Sequence, residues 1–513
     1  MKKINRALIS VSNKQGIVPF AQQLHALGIQ IISTGGTSQL LKEAQIPVTE
    51  VSELTGFPEM MDGRLKTLHP KIHGGILGRR SLDADVAKAH GIDWIDLVVV
   101  NLYPFADVIQ KPQSSVADAI ENIDIGGPTM IRSAAKNIDD VTVVVDPADY
   151  SLILQQLTAQ DGCIHLTQRS QLAIKAFAHT AEYDALIYSY LRANIAEKPA
   201  HFPEQLHLVL NKSIELRYGE NPQQLACAYQ FAGIPEGIFR AIQHQGKALS
   251  YNNLLDANAA NACVREFEEP TCVIVKHANP CGVAASSSIF AAFNLAMDSD
   301  SAASFGGVIA LNRACDAETA TAITSSYFEL VIAPGYATEA LSILAKKPNL
   351  RVLTIPKTEH VPTWHYQILE GGLLMQQHDH QIFRPEINQI VTKHTISPVI
   401  LEQLSFAWRV VKHVKSNGIL IAKNFQSIGV GAGQVARIDA VKIAISKADD
   451  RLSNAVLASD GFFPFRDSID SIAHTGIVAI IQPGGSLRDQ EVIDACNEHG
   501  IAMLFTGQRC FKH

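Results

Sequence analysis

Two periodicities alternate from the first residues onward, and no other feature restricts the fold as strongly. ALISV at 7–11 is an apolar run of strand length, residues 16–27 repeat apolar side chains at helical spacing, residues 29–33 form a second strand, and Gly35-Gly36-Thr37 opens a second helix. A βαβα beginning implies a parallel sheet, because parallel neighbours need a crossover long enough to hold a helix. DLVVVNL at 96–102 and VTVVV at 141–145 read as further buried strands, with a helix predicted over 129–136 after Gly126-Gly127-Pro128. Residues 165–195 read as a long helix or a helical pair. AEKPAHFP at 196–203 breaks the period with two prolines and marks a domain boundary, giving domains 1–198 and 199–513.

Beyond the boundary the alternation occurs twice. SFGGVIAL at 304–311, a helix, LVIAPG at 330–335 and another helix resemble SDGFFPF at 459–465, a helix, VAIIQPG at 478–484 and a final helix. Two related α/β subdomains after residue 205 follow from this weak duplication, whereas residues 356–398 show no clear period. A chain of 513 residues exceeds what one core holds together. Its net charge of −7, without a long basic block, speaks against nucleic acid or a membrane as partner, while small anions need only local charge. The N-terminus has no apolar leader segment and no run approaches the roughly eighteen apolar residues of a membrane span, so a cytoplasmic location is expected. Eight scattered cysteines without a C-x-x-C suit reduced thiols.

Four stretches carry candidate chemistry. TCVIVKHANPCG at 271–282 reads as a buried strand that delivers Lys276 and His277 to its carboxyl end, where Pro280 and Gly282 stop it; open α/β sheets hold ligands at such ends. An isolated Lys–His pair is more often structural than chemical. SVSNK at 10–14 and STGGT at 33–37 each lie where a strand passes into a helix, so hydroxyls, backbone N–H groups and the Lys14 ammonium can converge on a phosphate. GRLKTLHPKIH at 63–73 is a dense basic run that lacks interleaved acids after Asp62 and reads as a ligand-facing loop. Tyr103 after Asn101, with Asp124, Gly126, Gly127 and Lys136, supplies donors for an oxyanion and an acid–base group around one pocket.

Taken in order, SVSNK, STGGT, TGFPEMMDGRLKTLHPKIHGGIL, NLYPF and DIGGPTMIRSAAKN resemble the inosine monophosphate (IMP) cyclohydrolase half of the bifunctional purine biosynthesis proteins. LRYGENPQQ at 216–224, KHANPCG at 276–282, SFGG, IAPGY, VKSN at 414–417, GVGAGQVAR at 429–437, SDGFFPFRDS and the tail RCFKH resemble their phosphoribosylaminoimidazolecarboxamide (AICAR) formyltransferase half. The fold implied is α/β throughout: a doubly wound, methylglyoxal-synthase-like parallel sheet, then a duplicated, cytidine-deaminase-like domain. The implied activities are formyl transfer from 10-formyltetrahydrofolate to AICAR and closure of formyl-AICAR to IMP. Folate is then a co-substrate, tetrahydrofolate a product, and no metal takes part.

The resemblance also implies residue roles. In the first half Ser10, Ser12, Lys14, Thr34, Gly35, Gly36 and Thr37 would hold the monophosphate, with Arg64, Thr67, Asn101, Gly126 and Gly127 around the base. Lys66 and Tyr103 would stabilise the oxyanion while Asp124 and Lys136 exchange protons. In the second half His277 would be the base, Lys276 a charge stabiliser and Asn417 a hydrogen-bonding partner. Arg217, Tyr218, Gly306, Glu329, Arg437 and Arg509 would hold the nucleotide, and Ile438, Phe462 and Ser486 the folate. Gln223 departs from the family pattern, which often has histidine there. The resemblance further implies a homodimer with shared formyltransferase sites. Two rival readings stand beside it: a zinc deaminase, for which the chain lacks the His-x-Glu and Pro-Cys-x-x-Cys ligands, and a single-activity formyltransferase with a phosphate-sensing N-terminal domain.

Overall fold

Ile17, Phe20, Ala21 and Leu24 fall on one side of a helical period, and all four are buried on the helix Ile17–Ala26. Phe20 stacks on Tyr150 at a centroid distance of 4.3 Å, and burial of such a ring contributes roughly 1.5–3 kcal/mol. Residues 2–61, 63–111, 113–195, 202–232, 237–356, 363–380, 383 and 388–513 are described by the computed structural model of the chain. The chain divides into two compact units, Met1–Val209 and Leu210–His513. Most of the stretch read as the boundary, residues 196–201, lies outside the described residues.

In the first unit, apart from a short antiparallel pair, Lys2–Lys3 with Cys163–Ile164, the main sheet consists of β1 (Arg6–Val11), β2 (Gln30–Ser33), β3 (Thr49–Glu50), β4 (Leu97–Asn101) and β5 (Thr142–Val144). They lie in the order β3-β2-β1-β4-β5 and all pair in parallel. The helices that matter are α1 (Ile17–Ala26), α2 (Gly35–Glu43), α3 (Pro70–Leu77), α4 (Gly126–Lys136) and α5 (Leu166–Ile195). Apolar clusters cover both sheet faces: Ile9, Phe20 and Ile31 share one, Leu8, Ile32 and Val98 the other. Near-continuous apolar strands such as LVVV are the consequence of burial on both sides. One sequence reading changes in detail, since helix α4 starts at Gly126 rather than at 129; of the two alternatives for residues 165–195 the structure has the single long helix, of 30 residues.

The second unit carries one twelve-stranded sheet. Its strands are β6 (Ile242–Gln245), β7 (Thr271–Lys276), β8 (Asn279–Ala285), β9 (Val308–Leu311), β10 (Leu330–Ala333), β11 (Arg351–Thr354), β12 (Gln389–Ile390), β13 (Ile419–Lys423), β14 (Gln426–Gly431), β15 (Val456–Ser459), β16 (Ala479–Gln482) and β17 (Ala502–Phe505). Their order is β6-β11-β10-β9-β7-β8-β14-β13-β15-β16-β17-β12. The duplication is therefore structural and continuous: β8 pairs with β14 at Ala284 and Gln426, joining the two halves of the sheet. Each half runs through a helix, α6 (Tyr251–Val264) or α8 (Pro398–Val411), an antiparallel hairpin, a second helix, α7 (Ile289–Ser299) or α9 (Arg437–Ala448), and three parallel strands. The strand of the second half is Val456–Ser459, so SDGFFPF follows a strand whereas SFGG precedes one.

A larger correction concerns the opening of that hairpin. Thr271–Lys276 does not end at an open sheet edge: the chain reverses through His277-Ala278 and returns as Asn279–Ala285, paired antiparallel with it. Pro280 and Gly282 lie within the return strand and stop nothing. Pro280 is tolerated there because the register shifts between Ile274 and Val275. Part of the irregular stretch 356–398 forms a separate hairpin, Trp364–Leu369 with Gly372–Gln377. The rest of it includes residues 357–362, 381–382 and 384–387, which lie outside the described residues.

Candidate active sites

Strand β1 is the point at which the first sheet changes direction, since the chain adds β2 and β3 on one side of it and β4 and β5 on the other. Open α/β sheets leave a crevice beyond the carboxyl ends of the strands at such a point. Val11 pairs with Asn101 there, and the Asn101 Oδ1 accepts from the backbone N–H groups of Ser12 and Asn13 at 2.6 and 2.9 Å. The Lys14 ammonium donates to Thr37 Oγ1 at 2.6 Å and to the Val11 carbonyl. Burial lowers its pKa. Thr37 Oγ1 also accepts from Val11 N–H at 3.1 Å, which fixes the first turn of α2 against the end of β1.

Lys66 reaches the same turn from the basic loop. A Cβ built on Gly35, which has φ +55, would lie 3.5 Å from the Lys66 Nζ. Two ammonium groups thus stand at the N-terminus of α2, the end that the aligned peptide dipoles already make positive. Each such placement costs about 0.3–1 kcal/mol until an anion arrives. Glu59 Oε1 lies 3.4 Å from the Lys66 Nζ and offsets part of this.

Asp124 precedes α4. Its Oδ1 accepts from Gly127 N–H at 2.8 Å, and the Tyr103 backbone N–H is near enough to act on its carboxylate. Burial raises its pKa, against the lowering effect of these two N–H groups and of the nearby Lys66 charge. Tyr183 of α5 supports it from behind: the Asp124 N–H donates to the Tyr183 hydroxyl at 2.9 Å. The phenol of Tyr103 is 45% exposed, and a Cβ on Gly126 would lie 2.7 Å from Thr67 Oγ1. The first unit therefore gathers Lys66, Thr67, Tyr103, Asp124, Gly126 and Gly127. Ser10 and Ser12 lie on and just beyond the end of β1, and Thr34 N-caps α2 without a side-chain cap bond.

Lys136 does not join this group. It is the last residue of α4, ten positions beyond Gly126, and at 1.5 Å per residue that places it about 15 Å along the axis. It lines a separate cavity of about 810 Å³ with Arg132, Ser133 and Phe177. The single pocket expected around Asp124 and Lys136 is thus split by the length of the helix. Arg64 is held on the surface by an ion pair with Glu121.

In the second unit the hairpin tip is the centre. His277 and Ala278 have φ of 55° and 58°, the pair of left-handed residues that a two-residue type I′ turn demands. Asn and Gly usually fill these positions; a strained backbone position costs of order 1–3 kcal/mol. The exposed His277 imidazole is carried outward, while the Lys276 ammonium turns back to donate to the Phe305 carbonyl at 2.9 Å. Phe305 adjoins Gly306, whose N–H donates to the Tyr327 carbonyl at 2.8 Å. Asn279 links the tip to the other half: its Oδ1 accepts from Lys415 N–H at 3.0 Å.

Two residues on, Asn417 Oδ1 accepts from the Arg437 Nη2 at 2.7 Å. Arg437 is buried and also donates to Ser459 Oγ and to Asp460 Oδ1, at 2.7 and 2.6 Å. The C-terminal tail closes the arrangement, with Ser416 N–H donating to the Lys512 carbonyl and Cys510 N–H to that of Asp460. Arg509 lies over the Phe511 ring at 4.8 Å. Asn417, Arg437 and the tail are therefore joined by hydrogen bonds, and the Lys276-His277 tip adjoins them through Asn279 and Lys415. Ile438 follows Arg437 and the exposed Phe462 follows Gly461, whose Cβ would lie 2.6 Å from Arg437 Nη2. Ser486 lies in the loop after β16, its Oγ accepting from Arg488 N–H. Arg217 stacks over Tyr218 at 5.6 Å, beyond the separate hairpin strand Leu210–Leu216. The Glu329 carboxylate is engaged by the buried Arg351 at 2.7 Å and by the Tyr327 hydroxyl, partners that make it an internal brace as much as a ligand group.

A family profile described as "AICARFT/IMPCHase bienzyme" matches residues 134–447, more than half of the chain. The chain belongs to this family. A second profile, the MGS-like domain, matches residues 16–129, which includes the N-termini of α2 and α4, Lys66, Asn101 and Asp124 but not the end of β1. The AICARFT/IMPCHase family combines formyltransferase and cyclohydrolase chemistry in purine biosynthesis. Its fold class here is the expected one: an MGS-like N-terminal domain followed by the bienzyme domain, α/β throughout. Among solved structures, the crystal structure of ForH is 37% identical, covering 36% of this chain and 97% of that one, with a TM-score of 0.34. Among the described residues no helix is long and apolar enough to cross a membrane.

Sequence reasoning missed Glu59, Tyr183, Asp256, Asp460 and Arg351. All but Glu59 act through partners more than twenty positions away, while Glu59 lies inside the stretch 55–77 and Asp460 inside SDG at 459–461. The alternation of strand and helix could flag that they sit on structured elements, but not what they face.

Proposed function

We propose that this member of the family carries out both reactions on one chain: formyl transfer to AICAR in residues 199–513 and ring closure of formyl-AICAR to IMP in residues 1–198. In the transfer, the 5-amino nitrogen of AICAR bonds to the formyl carbon of 10-formyltetrahydrofolate and the bond from that carbon to folate N10 breaks. The imidazole of His277 takes the amine proton, and N10 leaves protonated as tetrahydrofolate. That amine is a weak nucleophile because its lone pair is delocalised into the ring, so a base at the bond-forming atom has a defined task. Lys276 faces the formyl oxygen as charge develops there, Asn417 and Arg437 orient the nucleotide, and Arg217, Tyr218, Gly306, Glu329 and Arg509 complete its site. Ile438, Phe462 and Ser486 face the folate. No metal is required by either reaction.

Ring closure joins the carboxamide nitrogen to the formyl carbon of the same molecule and expels the formyl oxygen as water. Holding the two atoms in contact supplies much of the acceleration. The observation that carries this reading is the pair of ammonium groups, Lys14 and Lys66, placed against the N-terminus of α2 with Asp124 beside them. A helix N-terminus with two cations is built for an anion of high charge, such as a nucleotide monophosphate. Lys66 and Tyr103 then stabilise the oxyanion, and Asp124 moves protons during dehydration. Lys136 enters this scheme only from another direction, such as the second subunit of a homodimer. A cytoplasmic homodimer fits both substrates.

The test is turnover by the purified full-length chain. With AICAR and 10-formyltetrahydrofolate it yields IMP and tetrahydrofolate; His277→Ala stops formyl transfer while leaving closure of supplied formyl-AICAR, and Lys66→Ala does the reverse. Closure at the normal rate by a folded Lys66→Ala variant would remove the assignment of the first unit.

A further inference from the structure

The two hairpins of the second unit are equivalent in the duplicated fold, and they provide an internal comparison. Lys276-His277-Ala278-Asn279 in one half corresponds to Lys423-Asn424-Phe425-Gln426 in the other, where Asn424 and Phe425 also take positive φ, of 52° and 60°. Both tips hang from the helix that precedes them. In the second half, Gln403 on α8 accepts from the Asn424 N–H through Oε1 at 2.8 Å. Phe425 there turns its ring onto Phe406 at 6.2 Å, so this tip is an internal structural corner. In the first half the corresponding helix α6 presents a carboxylate, Asp256. Its Oδ1 accepts from the Ala278 N–H at 2.6 Å, and the adjoining His277 backbone N–H is near enough to lower its pKa.

We propose that Asp256 is a positioning residue for formyl transfer, its half-buried carboxylate anchoring the Ala278 N–H of the His277-Ala278 turn and so fixing the direction of the His277 imidazole. This rests on the reading of His277 as the base. Ala has no local means of favouring the left-handed region, so the conformation at Ala278 depends on what holds its amide. Without that anchor the turn can relax toward the β region and swing His277 away from the amine. Burial raises the pKa of Asp256, against the lowering effect of the two N–H groups, as expected for a carboxylate kept for its geometry rather than for solvent contact. Asp256 makes no use of the substrate in this scheme.

The experiment measures kcat and KM for formyl transfer in the full-length chain carrying Asp256→Ala, Asp256→Asn, Asp256→Ala with Ala278→Gly, and His277→Ala. Asp256→Ala is expected to lower kcat by about 30- to 100-fold, the scale set by misplacing a catalytic group by an ångström, with the KM for AICAR changed less than about threefold. Asp256→Asn keeps an acceptor oxygen and should remain within about fivefold of the parent. Ala278→Gly should recover most of the loss, since glycine adopts positive φ without a Cβ penalty. Parental kcat in Asp256→Ala, a loss confined to KM, an Asn variant as impaired as the Ala variant, or no recovery by Ala278→Gly in a folded double variant each overturns the proposal. Full turnover by His277→Ala removes the base assignment itself, whereas loss in His277→Ala with Asp256→Ala intact removes only the anchor.

Discussion

Asp124 and Lys14 show how single residues here trade stability for chemistry. Burial raises the pKa of Asp124, so the folded state favours its protonated form. The sign follows directly: a raised carboxyl pKa contributes stability below the ordinary value of 3.8, and this is lost as pH rises through the folded value. At neutral pH the ionised group is a cost. Asp124→Asn, which keeps an acceptor for the Gly127 N–H, is expected to raise the melting temperature of the first unit at pH 7. Differential scanning calorimetry should find the gain shrinking as pH falls toward the carboxylate range, and ring closure should drop at least a hundredfold, about 2.7 kcal/mol of barrier. Lys14 has the opposite shift: burial lowers its pKa, so the charged form is disfavoured until an anion binds. Lys14→Met should therefore leave stability equal or higher while weakening nucleotide monophosphate binding about tenfold or more, read by titration calorimetry. The types of these residues and their places at strand ends were legible in sequence, but their burial, which sets both signs, was not.

At the scale of elements, close approach of backbone decides what the duplicated hairpins tolerate. A Cβ on Gly282 of β8 would lie 2.1 Å from the Ala296 carbonyl oxygen of α7, and one on Gly429 of β14 would lie 2.2 Å from the Ala444 carbonyl oxygen of α9. Neither position has positive φ, so both glycines are there for space between strand and helix. Gly282→Ala and Gly429→Ala should each destabilise the second unit by about 1–3 kcal/mol or more, measured by urea denaturation. Gly36 in the first turn of α2 is the contrast, with nothing within 4 Å of its Cβ position. Gly36→Ala should leave stability unchanged or raise it by up to about 1 kcal/mol, while the KM for formyl-AICAR rises because the added methyl meets the phosphate. In sequence Gly282 reads as a strand terminator because a glycine two positions after a proline is a turn signal. The register shift that lets Pro280 enter a strand is a pairing property, invisible along one chain segment.

At the scale of the molecule, the apolar clusters of the described residues belong to one unit or the other: Leu8, Ile32 and Val98 with Ile9 and Phe20 in the first, Val273, Leu353, Leu404 and Ile481 in the second. Each unit thus carries its own core, and calorimetry of the full chain should resolve two transitions, with Asp124→Asn moving one and Gly282→Ala the other. A single transition shifted alike by both variants would overturn this. The parallel α/β character of the first unit, the duplication of the second and the residue types at the strand ends can all be read along the chain. This is so because side-chain period and turn chemistry are local, written into neighbours three or four positions apart. Folding alone brings Lys66 to the start of α2, sets Lys136 a helix length away from Asp124, and places His277 at a hairpin tip whose Ala278 N–H is held by Asp256. Those are distances across the sheet and along a helix axis, set by how buried faces pair in space, and no spacing along the chain encodes them.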